Sequence, residues 1–214
     1  MGISERTIEI QWSGSGTLSL NCFLLPQRFY VVARKINLNP DKILKALDAY
    51  NLQGFSHTNE GLISHLKGTY QILEGWGCSV ELTHAGLCHS IYGTESYRQN
   101  PIPLEERSAI QELIGHDAER WVYLFGAHVK ESLWMNLERE GDFVITDRLI
   151  EEEILISHQE FCGLVTLTLA NWLEQRPRAP EKYLYLRQDE FVRAKPYLPE
   201  VAYREFLEAY GLEG

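Results

Sequence analysis

The hydrophobic period of the chain changes near residue 39, and this change constrains the fold more than any other feature. Before residue 39, apolar residues alternate with polar ones on both sides of the turn-like segment SGSG, residues 13–16. The alternating residues are Ile8, Ile10, Trp12, Leu18, Leu20 and Cys22. A period of two is typical of a strand, so the sequence predicts a β-hairpin. A third short strand is predicted over Phe29–Ile36.

After residue 39 the apolar residues recur at helical spacing. Asn39-Pro40-Asp41 is a typical helix start, and Ser157 with Glu160 forms the pattern of a capping box. Helices are predicted over about 39–50, 59–76, 80–90, 103–115 and 117–125, after Ser157, and over about 181–194 and 199–210. Residues 142–156 fit either a strand or a helix.

These periods predict a mainly α fold in three parts. Residues 1–38 form an N-terminal β embellishment, 39–175 a helical core, and 176–214 a C-terminal helical pair joined through a Pro- and Arg-rich linker. A chain of 214 residues is long enough to bury a substantial core in one domain.

The composition of the chain limits the kinds of partner that it is expected to bind. Its net charge of −10 argues against nucleic-acid binding, which needs clustered Lys and Arg. No apolar stretch approaches the ~20 residues that span a bilayer, and the first residues do not resemble a signal peptide. The four cysteines form no C-x-x-C pair and are expected to be reduced. We therefore expect a cytoplasmic protein with a small-molecule ligand, no nucleic-acid or membrane partner, and a surface compatible with a homo-oligomer.

Three polar residues on separate predicted helices carry the strongest functional signal. His65 lies within SHLKGTYQILEGWG, His89 within AGLCHSIYGTES, and Asn171 within LANWLEQ. Over about residues 59–175 this arrangement resembles the HD superfamily of metal-dependent phosphohydrolases, and most of all the alarmone hydrolases. That family has a His on one helix, a His-Asp pair closing the next, and an Asp on a later helix. The resemblance implies an HD-like helical bundle.

The resemblance also implies a metal site, from which this sequence departs at two positions. His65 and His89 would hold a divalent metal such as Fe, Mn or Zn, but Ser90 and Asn171 stand where the family has Asp. Hard cations prefer carboxylate oxygen, so a working enzyme would have to recruit another carboxylate. Glu95 and Glu119 are the candidate catalytic residues for metal-assisted phosphate-ester hydrolysis or for oxygen chemistry at iron.

Three interpretations remain open from the sequence. A protein without metal would keep the pocket and bind a small polar or phosphorylated ligand, an enzyme would use the recruited carboxylates, or the two histidines would be ordinary, partly buried side chains. For the ligand-binding interpretation the candidate contacts are Ser90, Tyr92, Thr94, Arg107 and Asn171.

Overall fold

The computed structural model describes residues 6–11, 17–22, 39–48, 50, 59–98 and 100–213, which fall into two compact units, Met1–Ile36 and Asn37–Gly214. In the first unit, strands β1 (Arg6–Gln11) and β2 (Thr17–Cys22) pair antiparallel, with Ile8 opposite Leu20. The predicted N-terminal hairpin is therefore confirmed. The predicted third strand lies outside the described residues.

The second unit is mainly helical. Its helices are α1 (Pro40–Asp48), α2 (Asn59–Gly75), α3 (Val80–Cys88), α4 (Arg107–Ile114), α5 (His116–Ala127), α6 (Lys130–Met135), α7 (His158–Gln175), α8 (Gln188–Arg193) and α9 (Glu200–Tyr210). Strands β3 (Phe143–Asp147) and β4 (Glu152–Ile156) form a second antiparallel hairpin. A mainly α fold with an N-terminal β-hairpin is what the sequence predicts. None of the helices in the described part of the chain combines the length and apolarity needed to cross a bilayer.

Helix α3 lies at the centre of this unit. Every residue from Leu82 to Cys88 is buried, and the helix packs against α2, α5 and α7. A helix that is surrounded on all sides has no solvated face, which explains why VELTHAGLC lacks a polar stripe. His89, the residue that follows α3, is therefore held in the middle of the bundle.

The helix ends follow from local hydrogen bonding. The Asn39 side chain accepts from the Asp41 amide at 2.8 Å, and Ser157 and Glu160 form the reciprocal capping box at the start of α7. Gly77, after α2, has a φ of +69°, a conformation that glycine adopts without steric penalty. These three signals are confirmed as helix boundaries.

The ambiguous segment 142–156 forms the β3–β4 hairpin, attached to the helices by Asn136. The Asn136 side chain is buried, accepts from the Val144 amide at 2.8 Å and donates to the Val144 carbonyl at 2.7 Å. The side chain therefore substitutes for a neighbouring strand at the edge of β3. Helix α6, which precedes Asn136, was not predicted from the sequence.

The C-terminal region differs in part from the prediction. A continuous helix over 181–194 is wrong: a short 3-10 turn at Glu181–Tyr183 is followed by α8, which begins only at Gln188. Arg187 has a φ of +59°, and this left-handed residue interrupts any continuous helix. Helix α9 agrees with the prediction and packs against α7, where the Trp172 indole donates to the Tyr210 hydroxyl at 2.6 Å.

Candidate functional site

His65 and His89 meet across the packed helices α2 and α3. Their rings are nearly perpendicular, with centroids 4.9 Å apart, and the two Nε2 atoms are 3.1 Å apart. Helices α2 and α3 pack against each other, which places His65, within α2, beside His89, which follows α3. The structure thus brings together the two histidines that the sequence singles out.

The other ring nitrogen of each histidine already has an acceptor. Nδ1 of His89 donates to the Gly86 carbonyl at 2.7 Å, and Nδ1 of His65 contacts a carboxylate oxygen of Glu174. With a proton on each Nδ1, two neutral rings would turn lone pairs toward each other at Nε2. The contact becomes favourable when one ring carries a second proton, which forms a hydrogen bond between the two Nε2 atoms. It also becomes favourable when a cation binds both nitrogen atoms.

His89 is held in its neutral form. It is 1% exposed, and burial lowers its pKa to about 3, with the neighbouring His65 acting in the same direction. Hydrogen bonds to Gly86 and Asn171 oppose this shift without cancelling it. The ring edge also packs on Phe125, with centroids 5.0 Å apart. A neutral imidazole suits both a hydrogen-bond acceptor and a metal ligand.

A cavity of about 900 Å³ opens beside the histidine pair. Four further residues singled out by the sequence line it together with the two histidines: Ser90, Thr94, Glu95 and Asn171. Aromatic side chains form much of the remaining wall, including Phe125, Trp134, Trp172 and Phe191. A concave, largely apolar site with a few convergent polar groups is typical of small-molecule binding.

Three cationic side chains also line this cavity, namely Lys130, Arg178 and Arg187. Glu95 is near this basic region, because its carboxylate accepts from the Lys130 backbone amide at 3.2 Å. The Lys130 ammonium itself donates to the Ser96 hydroxyl. Sequence reasoning missed these cations, since they come from α6 and from the turns after α7.

The other predicted site residues form a separate cluster. Arg107 donates to both carboxylate oxygens of Glu119, at 2.6 and 3.0 Å, and Gln111 donates to the same carboxylate at 2.9 Å. Tyr92 is buried beside them, and burial followed by the Glu119 charge raises the pKa of its hydroxyl. None of Tyr92, Arg107 and Glu119 is among the residues that line the cavity. Of the two carboxylates considered for catalysis, only Glu95 lies there.

Glu174 is the functional candidate that sequence reasoning missed. It lies three residues after Asn171, on the same face of α7, and its side chain is 9% exposed. Besides His65, it binds Arg178, whose Nη2 donates to its two oxygens at 2.6 and 2.7 Å. The only sequence signal was the i, i+4 spacing of Glu174 and Arg178, which is common on solvated helix faces.

The donor set fits a metal ion only in part. Two nitrogen atoms 3.1 Å apart can bind one ion at 2.0–2.1 Å with an angle of about 95–100° between the bonds. However, the described residues contain no group of three or more His, Cys, Asp or Glu side chains arranged to hold a metal. A metal held here would depend on His65 and His89, with water or ligand oxygen at the remaining positions.

Comparison with known proteins adds one finding. A family model described as a domain of unknown function, DUF6817, matches residues 46–129. The matched segment includes both histidines and helices α2 to α5 but ends before α7. No match was found among curated proteins or among solved structures.

Proposed function

We propose that this chain is an HD-like protein that binds a small phosphorylated or similarly anionic ligand in the cavity beside His65 and His89. The proposal depends on one observation, that a pair of inward-facing imidazoles shares a cavity with three cationic side chains. The HD-like assignment is supported by α2, α3 and α7, which bring the three positions of the resemblance to one cavity.

Charge supports an anionic ligand. The chain carries a net charge of −10, yet the cavity is lined by Lys130, Arg178 and Arg187 against a single carboxylate among its described lining residues, Glu95. Arg178 is paired with Glu174, and Arg187 is paired with Glu131 and Glu190, so these two arginines offer an anion their remaining N–H donors rather than a net positive charge. The Lys130 ammonium, which forms no ion pair among the described residues, is the most available of the three.

Hydrogen bonding supports a ligand that is also polar. Ser90 and Asn171 line the cavity next to His89, where the family resemblance has carboxylates. A hydroxyl and an amide can each donate to a phosphate oxygen, which an ionised carboxylate cannot do. The same substitutions that weaken a metal site therefore favour direct binding of an anion.

Calorimetric titration with inorganic pyrophosphate tests the proposal. We expect binding that weakens with salt and that falls about tenfold in Lys130→Ala, because a charge-assisted hydrogen bond is lost. Lys45→Ala is the matched control, since Lys45 is exposed on α1 and does not line the cavity. Equal binding by both variants, or no heat of binding at millimolar pyrophosphate, contradicts the proposal.

A metal-dependent enzyme of the HD type, a phosphohydrolase or an iron oxygenase, is the second candidate. The 3.1 Å separation of the Nε2 atoms favours it, because this separation suits two ligands of one ion. A bound metal would supply hydroxide from water at neutral pH. Glu95 would then act as the carboxylate within the cavity.

Metal analysis of protein purified without chelators distinguishes the two candidates. Near-stoichiometric iron, manganese or zinc in the wild type that is absent from His65→Ala supports the metal-dependent enzyme as the function. His116→Ala is the control, because His116 is exposed and outside the cavity. Absence of metal after reconstitution, or metal retained in His65→Ala, rules out the metal-dependent enzyme as the function.

A further inference from the structure

We infer that Glu174 is a positioning residue for His65, which fixes the proton of that ring on Nδ1 and turns Nε2 toward His89 and the cavity. The inference deepens the proposed function and rests on it for its purpose. Its geometry stands independently, on the close approach of Glu174 to two residues of α2 and to Arg178 in the turn after α7.

The first observation is the enclosed contact between the two side chains. The side chain of His65 is 15% exposed and that of Glu174 is 9% exposed, and a carboxylate oxygen contacts Nδ1 directly. A carboxylate is an acceptor only, so the proton in this contact lies on Nδ1 when the ring is neutral. An acceptor at one imidazole nitrogen holds the proton there, so that the other nitrogen offers its lone pair.

The second observation is a notch in α2 that makes room for this carboxylate. Gly68 lies one turn after His65, and a Cβ built there would be 2.7 Å from Cγ of Glu174. Glycine in the interior of a helix is unfavourable, so its presence at this point needs a reason. The close approach of Glu174 supplies one, because any larger residue at 68 would push the carboxylate away from His65.

The third observation is that Arg178 holds the same carboxylate from the other side. Its Nη2 reaches both oxygens of Glu174 at 2.6 and 2.7 Å, and Arg178 also lines the cavity. A carboxylate bound from two directions has a fixed position, which in turn orients the imidazole. The order of contacts is therefore Arg178, Glu174, His65 and His89.

Removing the carboxylate has a defined consequence for the proton of His65. Nδ1 loses its acceptor, while Nε2 still faces Nε2 of His89, whose own Nδ1 is committed to Gly86. In Glu174→Ala the proton of the neutral ring should therefore move from Nδ1 to Nε2, where an acceptor remains. A residue that merely packed against His65 would leave the tautomer unchanged.

The test is ¹⁵N NMR of the imidazole nitrogen atoms in the ligand-free full chain, which reports whether each ring nitrogen carries a proton. We expect Nδ1 of His65 to carry a proton in the wild type and to lack one in Glu174→Ala, where the proton of the ring lies on Nε2. An unchanged tautomer in Glu174→Ala overturns the inference.

Glycine substitutions provide a second test that leaves Glu174 in the sequence. Gly68→Ala should shift the tautomer as Glu174→Ala does, by displacing the carboxylate. Gly75→Ala in the same helix is the matched control, because a Cβ at Gly75 meets nothing within 4 Å. A wild-type tautomer in Gly68→Ala, with a folded chain by circular dichroism, overturns the inference. Pyrophosphate titration tests the proposed function separately, so the two can fail independently.

Discussion

Arg107 and Glu119 form a two-point ion pair in which the carboxylate is completely buried and the guanidinium lies over the Tyr123 ring, 3.8 Å from its centroid. The pair joins the start of α4 to the first turn of α5. Both residues were candidates for the site from sequence, yet in the structure each is bound to the other. Their contribution is therefore expected in stability rather than in ligand binding.

Arg107→Ala should lower the free energy of unfolding by about 3 kcal/mol, because it leaves a buried carboxylate without its cation. Urea denaturation followed by circular dichroism measures the change. Arg139→Ala, at an exposed position without a salt bridge in the described chain, is the control and should change stability by less than about 0.5 kcal/mol. Similar losses in the two variants would contradict the role assigned to the pair.

His128 should make the protein less stable as the pH falls from about 6.5 to 4. It is 5% exposed, and burial lowers its pKa to about 4, with Lys130 acting in the same direction and Glu95 against it. In that pH window the unfolded chain binds a proton that the folded chain does not, so stability present above pH 6.5 declines by up to about 3 kcal/mol.

The His128→Asn variant tests this pH dependence, since an amide keeps a donor for the Leu124 carbonyl that Nδ1 of His128 now binds. Unfolding free energies at several pH values should fall less steeply in the variant than in the wild type. His89 contributes in the same direction, because its pKa is also lowered, so some acid sensitivity remains. Parallel curves for the two proteins would contradict the prediction.

Introducing carboxylates at the two positions where the HD superfamily has Asp should create metal affinity if the site is HD-like. Ser90→Asp combined with Asn171→Asp places acidic oxygens at the cavity wall beside the histidine pair. We expect at least about tenfold tighter binding of manganese than in the wild type, measured by calorimetry. Adding His65→Ala to the double variant should remove the gain. No gain in the double variant would contradict the HD-like arrangement of the site.

Asn136→Asp should destabilise the attachment of the β3–β4 hairpin. The amide nitrogen now donates to the carbonyls of Ser132, Leu133 and Val144, and a carboxylate would meet all three with negative oxygen. A loss of about 2 kcal/mol is expected from thermal unfolding. Asn100→Asp, at an exposed position, should be close to neutral. An equal loss in both variants would show that the hydrogen bonds of the Asn136 side chain do not stabilise the hairpin.

Local signals in the sequence predicted those parts of the fold that depend on local chemistry. Asn39 and Ser157 bind amides two or three residues away, so their spacing was sufficient to predict two helix starts. The meeting of His65 and His89 was implied instead by the resemblance to the HD superfamily, which has a histidine on each of two successive helices. For the two helix starts, short-range spacing carries the required information.

Other parts of the site depend on contacts that spacing cannot reveal. Glu174 reaches His65 only because Gly68, on another helix, leaves room for it. From its sequence position Glu119 could have faced a cavity or an arginine. It contacts Arg107 because α4 packs on α5. The position of a charged side chain is decided by its long-range partners, whereas helix formation is decided largely by neighbours in sequence.

The cavity wall combines segments that are held by very different numbers of backbone hydrogen bonds. His65 lies within the long helix α2 and His89 follows the buried helix α3, whereas Pro180, Tyr183 and Leu186 come from isolated turns after α7. Amide hydrogens in those turns should exchange with deuterium through small local openings. Those of α3 should exchange only when the whole bundle unfolds. The proposed ligand would then enter and leave on a timescale set by the turns, without disturbing the histidine pair.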